Sequence, residues 1–273
     1  MATLETSQQI LEKFLSFPIN SADGIFAQFE TLPGAIAGRG DKPLERYVCI
    51  PGTAKKPLVL VAHTDTVWDM AYGGAAETSV IFQDGKFQGT NPACGIGADD
   101  RAGCAMLWAL RDCGHTLLLV NGEEKGKVGA KFLKQSNPAL FRKLNRYQFM
   151  IELDWQGTGG CLFNQVDYTK AFYRYVTKVL GLVDDKKSGG CDLQILCRRI
   201  CGVNIGVGYH GYHRPGEYLS LAEWENTLAF LRKMLSESHP KFPISMKKRI
   251  RPYLGAIKRR IFRLLSVKKR PAQ

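Results

Sequence analysis

Four apolar runs recur along the chain: PLVLVAHTD (57–65), HTLLLVNGEE (115–124), YQFMIELD (147–154) and ICGVNIGVG (200–208). Each is rich in Val, Leu and Ile and short enough to be a buried strand. Stretches with helical spacing lie between them, at 101–113, 128–135 and 169–181. A further helix is expected at 221–237, where Ala222, Leu228, Phe230, Leu231, Met234 and Leu235 supply the apolar stripe. Strands alternating with helices predict an α/β fold, a three-layer sandwich with helices flanking a mostly parallel mixed sheet. No repeat or low-complexity tract interrupts the pattern, and no insertion between the strands is long enough for a second folded domain. The expected organisation is one domain over 1–243 followed by a tail over 244–273.

The net charge of +13 looks like a nucleic-acid signature until it is located. Twelve Lys or Arg and no Asp or Glu fall between Lys241 and Gln273, which leaves about +1 for residues 1–240. The body is near neutral and the tail is basic. The eight cysteines include no C-x-x-C pair, so they are expected to be reduced thiols, mostly buried as small hydrophobes, rather than a disulfide framework or a cysteine–zinc site. No run approaches the ~18 apolar residues that span a bilayer. The start, MATLETSQQILEKF, carries acids early and is not a secretory signal. The expected location is cytoplasmic.

In open α/β sheets, ligands gather beyond the carboxyl ends of the strands. The acids and histidines of this chain fall there. His63 and Asp65 close the first run, Glu123 and Glu124 the second and Asp154 the third, while His210 and His213 follow the fourth. Asp99 and Asp100 stand where the helix at 101–113 opens. Singly, each has an ordinary structural reading: a solvated strand end for His63-x-Asp65, helix capping for Asp99–Asp100, a solvated loop for Glu123–Glu124. His115 and His239 read as ordinary polar residues. Residues two apart on a strand share a side, so Asp65 lies where it can orient His63 and raise its basicity as a ligand. Asp154 ends an apolar run, where an unpaired carboxylate is costly. Two His, two Asp and one Glu of mixed nitrogen and oxygen character suit zinc, with manganese or cobalt as substitutes, and one carboxylate is left over as a base.

The segments AHTDTV, GIGADDRAG, NGEEKG, IELD and NIGVGYHGYHRPGEYLSL resemble, in order, the metal-site motifs of the co-catalytic zinc exopeptidases, a group of aminopeptidases, tripeptidase-like enzymes, carboxypeptidases and deacylases. The resemblance runs from about Arg46 to Phe230. It implies that His63 and Asp154 bind one zinc, that Glu124 and His213 bind the other, and that Asp99 bridges both. Glu123 is then the general base for a water held between the ions, and Asp65 orients His63. The peptide between Asp99 and Asp100 is expected to be cis. His213 is preferred over His210 because Pro215 and Glu217 follow it, leaving His210 near substrate or on the surface. Many relatives carry an inserted lid domain after the third strand. Here about 45 residues separate Asp154 from Ile200, so the chain resembles the compact lidless branch. Within them SGGCD (188–192) looks like a substrate-side loop, in which Asp192 either contacts a substrate amine or caps a helix.

The expected activity is metal-dependent hydrolysis of a peptide bond in a small peptide. An N-acyl amino-acid deacylase or a single-zinc cyclotransferase on the same scaffold is the alternative within enzymes. A binding module recruited to a membrane or polyanion by the tail is the alternative outside them. In the tail, Ile250, Leu254, Ile257, Ile261 and Leu264 recur at helical spacing among Lys258, Arg259, Arg260 and Arg263, with Pro252 and Gly255 near its start. This pattern fits a basic amphipathic helix peripheral to an anionic membrane, or a terminal helix packed on the enzyme body. Nucleic acid is not expected as a specific partner, because such a tail attracts any polyanion without reading it.

Overall fold

The computed structural model describes residues 5–68, 78–163, 166–187 and 189–244. The expected tail therefore lies outside the described residues, apart from Ile244. The centre is an eight-stranded mixed sheet. The predicted runs form β3 (Val59–His63), β6 (Thr116–Val120), β7 (Met150–Trp155) and β10 (Gly202–Gly206). With β1 (Ile36–Arg39), β2 (Arg46–Ile50), β8 (Gly160–Leu162) and β9 (Val183–Asp184), the order is β1-β2-β6-β3-β7-β10-β8-β9. The central β6, β3, β7 and β10 are mutually parallel, and the flanking β2 and β8 run antiparallel to them. The carboxyl ends of the four central strands therefore open on one edge of the sheet.

The strand period of two divides the apolar residues between two cores. Leu60, Ala62, Leu117, Leu119, Ile151 and Leu153 face one side. They pack there under α1 (Ser7–Leu15), α2 (Asp23–Glu30), α3 (Ala98–Ala109), α6 (Lys170–Arg174) and α8 (Leu221–Leu235). Val59, Val61, Leu118, Val120 and Met150 face the other, against α4 (Val128–Ser136), α5 (Pro138–Leu144) and α7 (Leu193–Leu196). This is the three-layer sandwich that the alternating pattern implied. Trp224 joins two elements of the first core: it is wholly buried on α8, and its indole N–H donates to Ala102 O on α3 at 3.1 Å. Trp224→Ala should lower the unfolding free energy by about 3–5 kcal/mol in a denaturant titration. A change below ~1 kcal/mol would mean that this contact does not hold the layers together.

Two features differ from the sequence reading. The stretch 169–181 is not one α-helix. After α6 the backbone widens into a π-helical turn at Tyr175–Val179, where the Leu180 N–H donates to Tyr175 O at 2.9 Å. Val176, Thr177 and Val179 crowd this segment with β-branched side chains, which fit poorly in a regular helix. A second, antiparallel sheet, in the order β11-β12-β5-β4, was not anticipated; it joins β4 (Val80–Gln83), β5 (Lys86–Gly89), β11 (Tyr209–His210) and β12 (Tyr218–Ser220). It carries the β11–β12 connection, and with it His213, to the open edge of the large sheet.

All eight cysteines are free thiols and seven are buried. His115 and His239 are bonded core histidines: the His115 ring joins Leu58 N and Leu235 O, and the His239 ring joins the Tyr175 hydroxyl and Met234 O. Among the described residues, no helix is long and apolar enough to cross a membrane.

Candidate active site

His63 is the last residue of β3, and its ring is almost wholly buried. Its Nδ1 lies 3.0 Å from the Asp65 carbonyl and 3.3 Å from Asp65 Oδ1. A carbonyl only accepts, so Nδ1 carries the hydrogen and Nε2 is the atom turned to the open edge. There Nε2 meets Asp99 Oδ1 at 3.1 Å and Asp154 Oδ1 at 3.5 Å. The other Asp99 oxygen, Oδ2, lies 3.1 Å from His213 Nε2, which is also 2.7 Å from Glu124 Oε1. Two groups of donors result, His63 with Asp154 and His213 with Glu124, and Asp99 offers one oxygen to each.

The charges of this cluster are arranged around that shared carboxylate. Burial alone would lower the His63 pKa, but hydrogen bonds to Asp154, Asp65 and Asp99 raise it well above the ordinary value. His213 rises to about 10 against the same burial effect, through Asp99 and Glu124. Burial works to raise Asp99, yet hydrogen bonds from both histidines hold it below the usual carboxylate range. Asp154 goes the other way, pushed well up by burial and then by the Asp99 charge. Glu124 is raised by burial. Several buried carboxylates facing two imidazoles could hold a cation, because divalent charge settles what burial and mutual repulsion oppose. The mixed imidazole and carboxylate donor set fits zinc.

The supporting bonds explain why the sequence folds this way locally. Asp65 accepts three backbone N–H groups, from Gly122 at 2.7 Å, Glu123 at 3.0 Å and Glu124 at 3.2 Å. It thereby fixes the turn after β6 as well as the His63 ring. The turn also needs Gly122, whose φ of 72° is left-handed and whose added Cβ would come 2.9 Å from Val128 Cβ. Glu217 accepts from Gly97 N at 2.8 Å and Asp99 N at 3.1 Å, and burial pushes its pKa up to about 7. Asp100 accepts from His63 N and Gly103 N, each at 3.0 Å, so although it lies close to His63 and Asp154 it is committed to the backbone. The Asp99–Asp100 peptide is cis. Asn204 on β10 accepts from Asp154 N at 3.0 Å and donates to Asp154 O at 2.7 Å, and the Tyr209 hydroxyl donates to Asp154 Oδ1 at 3.3 Å.

Residues 47–186, just over half of the chain, match the family model described as Peptidase family M28. The chain belongs to peptidase family M28. Among solved structures, this M28 peptidase is similar to the aminopeptidase PepT of Bacillus cereus, at 13% identity and TM-score 0.61 over 85% of this chain and 99% of that one. It is likewise similar to a tripeptidase of Staphylococcus aureus, at 15% identity and TM-score 0.60 over 85% and 99%. An aminopeptidase from Desulfurococcus kamchatkensis matches at 13% identity and TM-score 0.59 over 86% and 97%. At these identities the likeness is one of fold. No curated protein matches the chain in sequence. The family match ends before His213 and Glu217, so in this M28 chain the β11–β12 connection is tied to the site by its contacts alone.

A cavity of about 280 Å³ opens over the cluster, and His63, Asp99, Glu123, Glu124, Asp154 and His213 all line it. A larger groove of about 630 Å³ lies behind Asp65, lined by Leu44, Arg39 and Asn121 among others, and none of those six residues reaches it. Asp192 is wholly buried and does not line the small cavity, and its side chain makes no capping bond to α7. Burial and the charges of Glu152 and Glu123 push its pKa well up. His210 is set apart from the cavity: it bonds Glu223 Oε2 at 2.7 Å and stacks on Tyr218. Neighbours in a strand face opposite sides, so turning Tyr209 towards Asp154 turns His210 away.

Sequence reasoning passed over the other parts of this M28 site. Lys127, Trp155, Tyr209 and Tyr212 complete the cavity wall with Gly126 and with Gly189 and Gly190, which belong to the loop already expected on the substrate side. Glu152 lies below and accepts from Asp192 N at 2.9 Å and Leu193 N at 3.1 Å. The signal for Glu152 was its acid inside an apolar run, where a buried charge requires partners.

Asp65 offers a test that touches no donor atom. Asp65→Ala should weaken metal binding about 10- to 100-fold in a chelator competition, because the His63 ring and the Glu124 turn lose their common anchor. An unchanged metal affinity would remove Asp65 from the site.

Proposed function

We propose that this M28 enzyme is an exopeptidase of short peptides that uses two divalent ions, zinc by its donor set. His63 and Asp154 hold one ion, His213 and Glu124 the other, and Asp99 both. The observation that carries the reading is the placement of the two Asp99 oxygens, each 3.1 Å from a different histidine. When bound, the ion pair supplies Lewis acidity, which acidifies a water and polarises the scissile carbonyl. Glu123 lines the cavity beside Glu124 and belongs to neither donor group. It takes the proton of the attacking water and returns it to the leaving amine. Asp65 holds His63 and the Glu123–Glu124 turn in register throughout. A small cavity walled by Trp155 and Tyr212 supports short substrates. Two donor groups count against a single-metal cyclotransferase.

The test is metal analysis together with a panel of di-, tri- and acyl-peptides with free or blocked termini. About two equivalents of zinc and turnover of free short peptides are expected. One equivalent, or turnover of acyl amino acids only, would favour the cyclotransferase or deacylase reading.

The basic segment after Pro243 is proposed to hold the enzyme on an anionic membrane surface, on the strength of its eleven Lys and Arg without an acid. Truncation after Pro243 should preserve peptide turnover and abolish low-salt sedimentation with vesicles containing anionic lipid. An insoluble or inactive truncation would make the segment part of the fold.

A further inference from the structure

Lys127 has no part in the mechanism above, yet its ammonium lies inside the active-site cavity. The turn after β6 brings it there: the Gly126 and Lys127 N–H groups both donate to Glu123 O at 2.9 Å, which sets Lys127 beside the residue four positions earlier. Its backbone is left-handed, with φ 64° and ψ 45°, a conformation that residues with a Cβ rarely adopt. The ammonium Nζ lies 2.9 Å from Glu123 Oε1, and only 15% of the side chain is exposed. Among the described residues Glu123 Oε1 makes no other hydrogen bond, so Lys127 is its partner. The loop opposite leaves room for the ammonium: a Cβ on Gly190 would come 2.7 Å from Lys127 Nζ. Burial opposes the charge, but the hydrogen bond and charge of Glu123 outweigh it and raise the Lys127 pKa.

The other charged groups of the cavity are already engaged, as metal donors or as the base. Glu123, Glu124, Asp99 and Asp154 line it, and its two histidines are committed to the metal donor groups. Among the described residues lining it, Lys127 is the one permanent cation. A buried ammonium on a flexible stem can leave one carboxylate for another at little cost when the exchange is anion for anion.

We propose that Lys127 is the carboxylate-binding residue of this site and selects short peptides whose free C-terminal carboxylate falls within its reach. This rests on the exopeptidase reading. The base must lie within hydrogen-bond reach of the proton it moves to the leaving nitrogen. Lys127 touches that base. In a dipeptide the carboxylate is attached to the Cα next to the leaving nitrogen, whereas each further residue moves it about 3.8 Å away. The carboxylate of a dipeptide therefore falls within the span of a lysine side chain, while a longer peptide presents a neutral amide there. Engaging the substrate carboxylate draws the ammonium from Glu123 Oε1 and leaves that oxygen free to accept the proton.

The experiment compares matched dipeptides, free acid against C-terminal amide, on metal-loaded wild type, Lys127→Met, Lys127→Gln and Lys127→Arg. In wild type the free acid is favoured on the order of 10- to 100-fold in kcat/KM, chiefly through KM, as a charge-assisted contact implies. Met and Gln bring the ratio near one, and Arg keeps a preference. A wild-type ratio near one, or a ratio unchanged in both neutral variants, overturns the proposal. Binding of a reduced-bond dipeptide and its amide is measured by calorimetry on the same proteins, so that turnover is not needed. A Lys127-dependent preference in binding without turnover of any peptide sinks the exopeptidase reading and keeps this one. Turnover without the preference does the reverse.

Discussion

Glu123→Gln lowers kcat on a short peptide by about 10²–10⁴-fold and leaves both metal ions bound. Glutamine keeps the shape of the side chain and the backbone bonds that Asp65 receives from the turn, so the geometry around Glu124 persists. What is lost is the ability to carry a proton between water and leaving amine, a rise of about 3–5 kcal/mol in the barrier. The two adjacent glutamates are told apart by what they face. Glu124 Oε1 lies 2.7 Å from His213 Nε2, within a donor group, whereas Glu123 Oε1 lies 2.9 Å from Lys127 Nζ. Zinc analysis beside single-turnover kinetics checks both halves of the prediction. Metal lost from Glu123→Gln but retained in Glu124→Gln would exchange the two roles.

The large sheet was legible because its parallel strands are buried on both faces, so they read as unbroken apolar runs such as LVLVA before His63. The convergence of acids was legible for the same reason: polar residues that close such runs fall on one edge of the sheet. The small sheet was not. Its strands are two to four residues long, and β12 pairs with β5, from which it is separated by well over a hundred residues. Only the Asp84–Gly85 turn, with φ 50° and 75°, carried a local hairpin signature. Without that sheet the choice between His210 and His213 rested on the residues that follow, whereas in the folded chain a strand alternation decides which ring faces the cavity. Lys127 was illegible in another way. Within EEKGKVG it reads as one more solvated charge, and only the left-handed backbone beside Gly126 turns it inward. Glu217 and Asn204 were visible as residues of a motif, but their bonds to the backbone of Asp99 and Asp154 depend on contacts between distant segments.

Removing the shared carboxylate has an effect of comparable size on a different observable. Asp99→Ala abolishes turnover and, in the same titration, high-affinity binding of both ions. Each donor group keeps two of its three members, but the carboxylate that ties them is gone. His63 and His213 also lose one of the anions that together outweigh the burial effect on their charge. The backbone of the loop should survive, because Glu217 accepts from the Asp99 N–H rather than from its side chain. The loss should therefore appear in the linkage between metal and stability. Zinc at 100 to 1,000 times its Kd raises the unfolding free energy of the wild type by about 2.7–4.1 kcal/mol, and Asp99→Ala should show almost none of this gain. His63→Ala should resemble it, since His63 Nε2 faces Asp99 and Asp154 together. Full zinc occupancy with normal turnover in Asp99→Ala would end the bridging assignment. One retained equivalent with residual activity would leave Asp99 serving a single ion, and the two donor groups would then act separately.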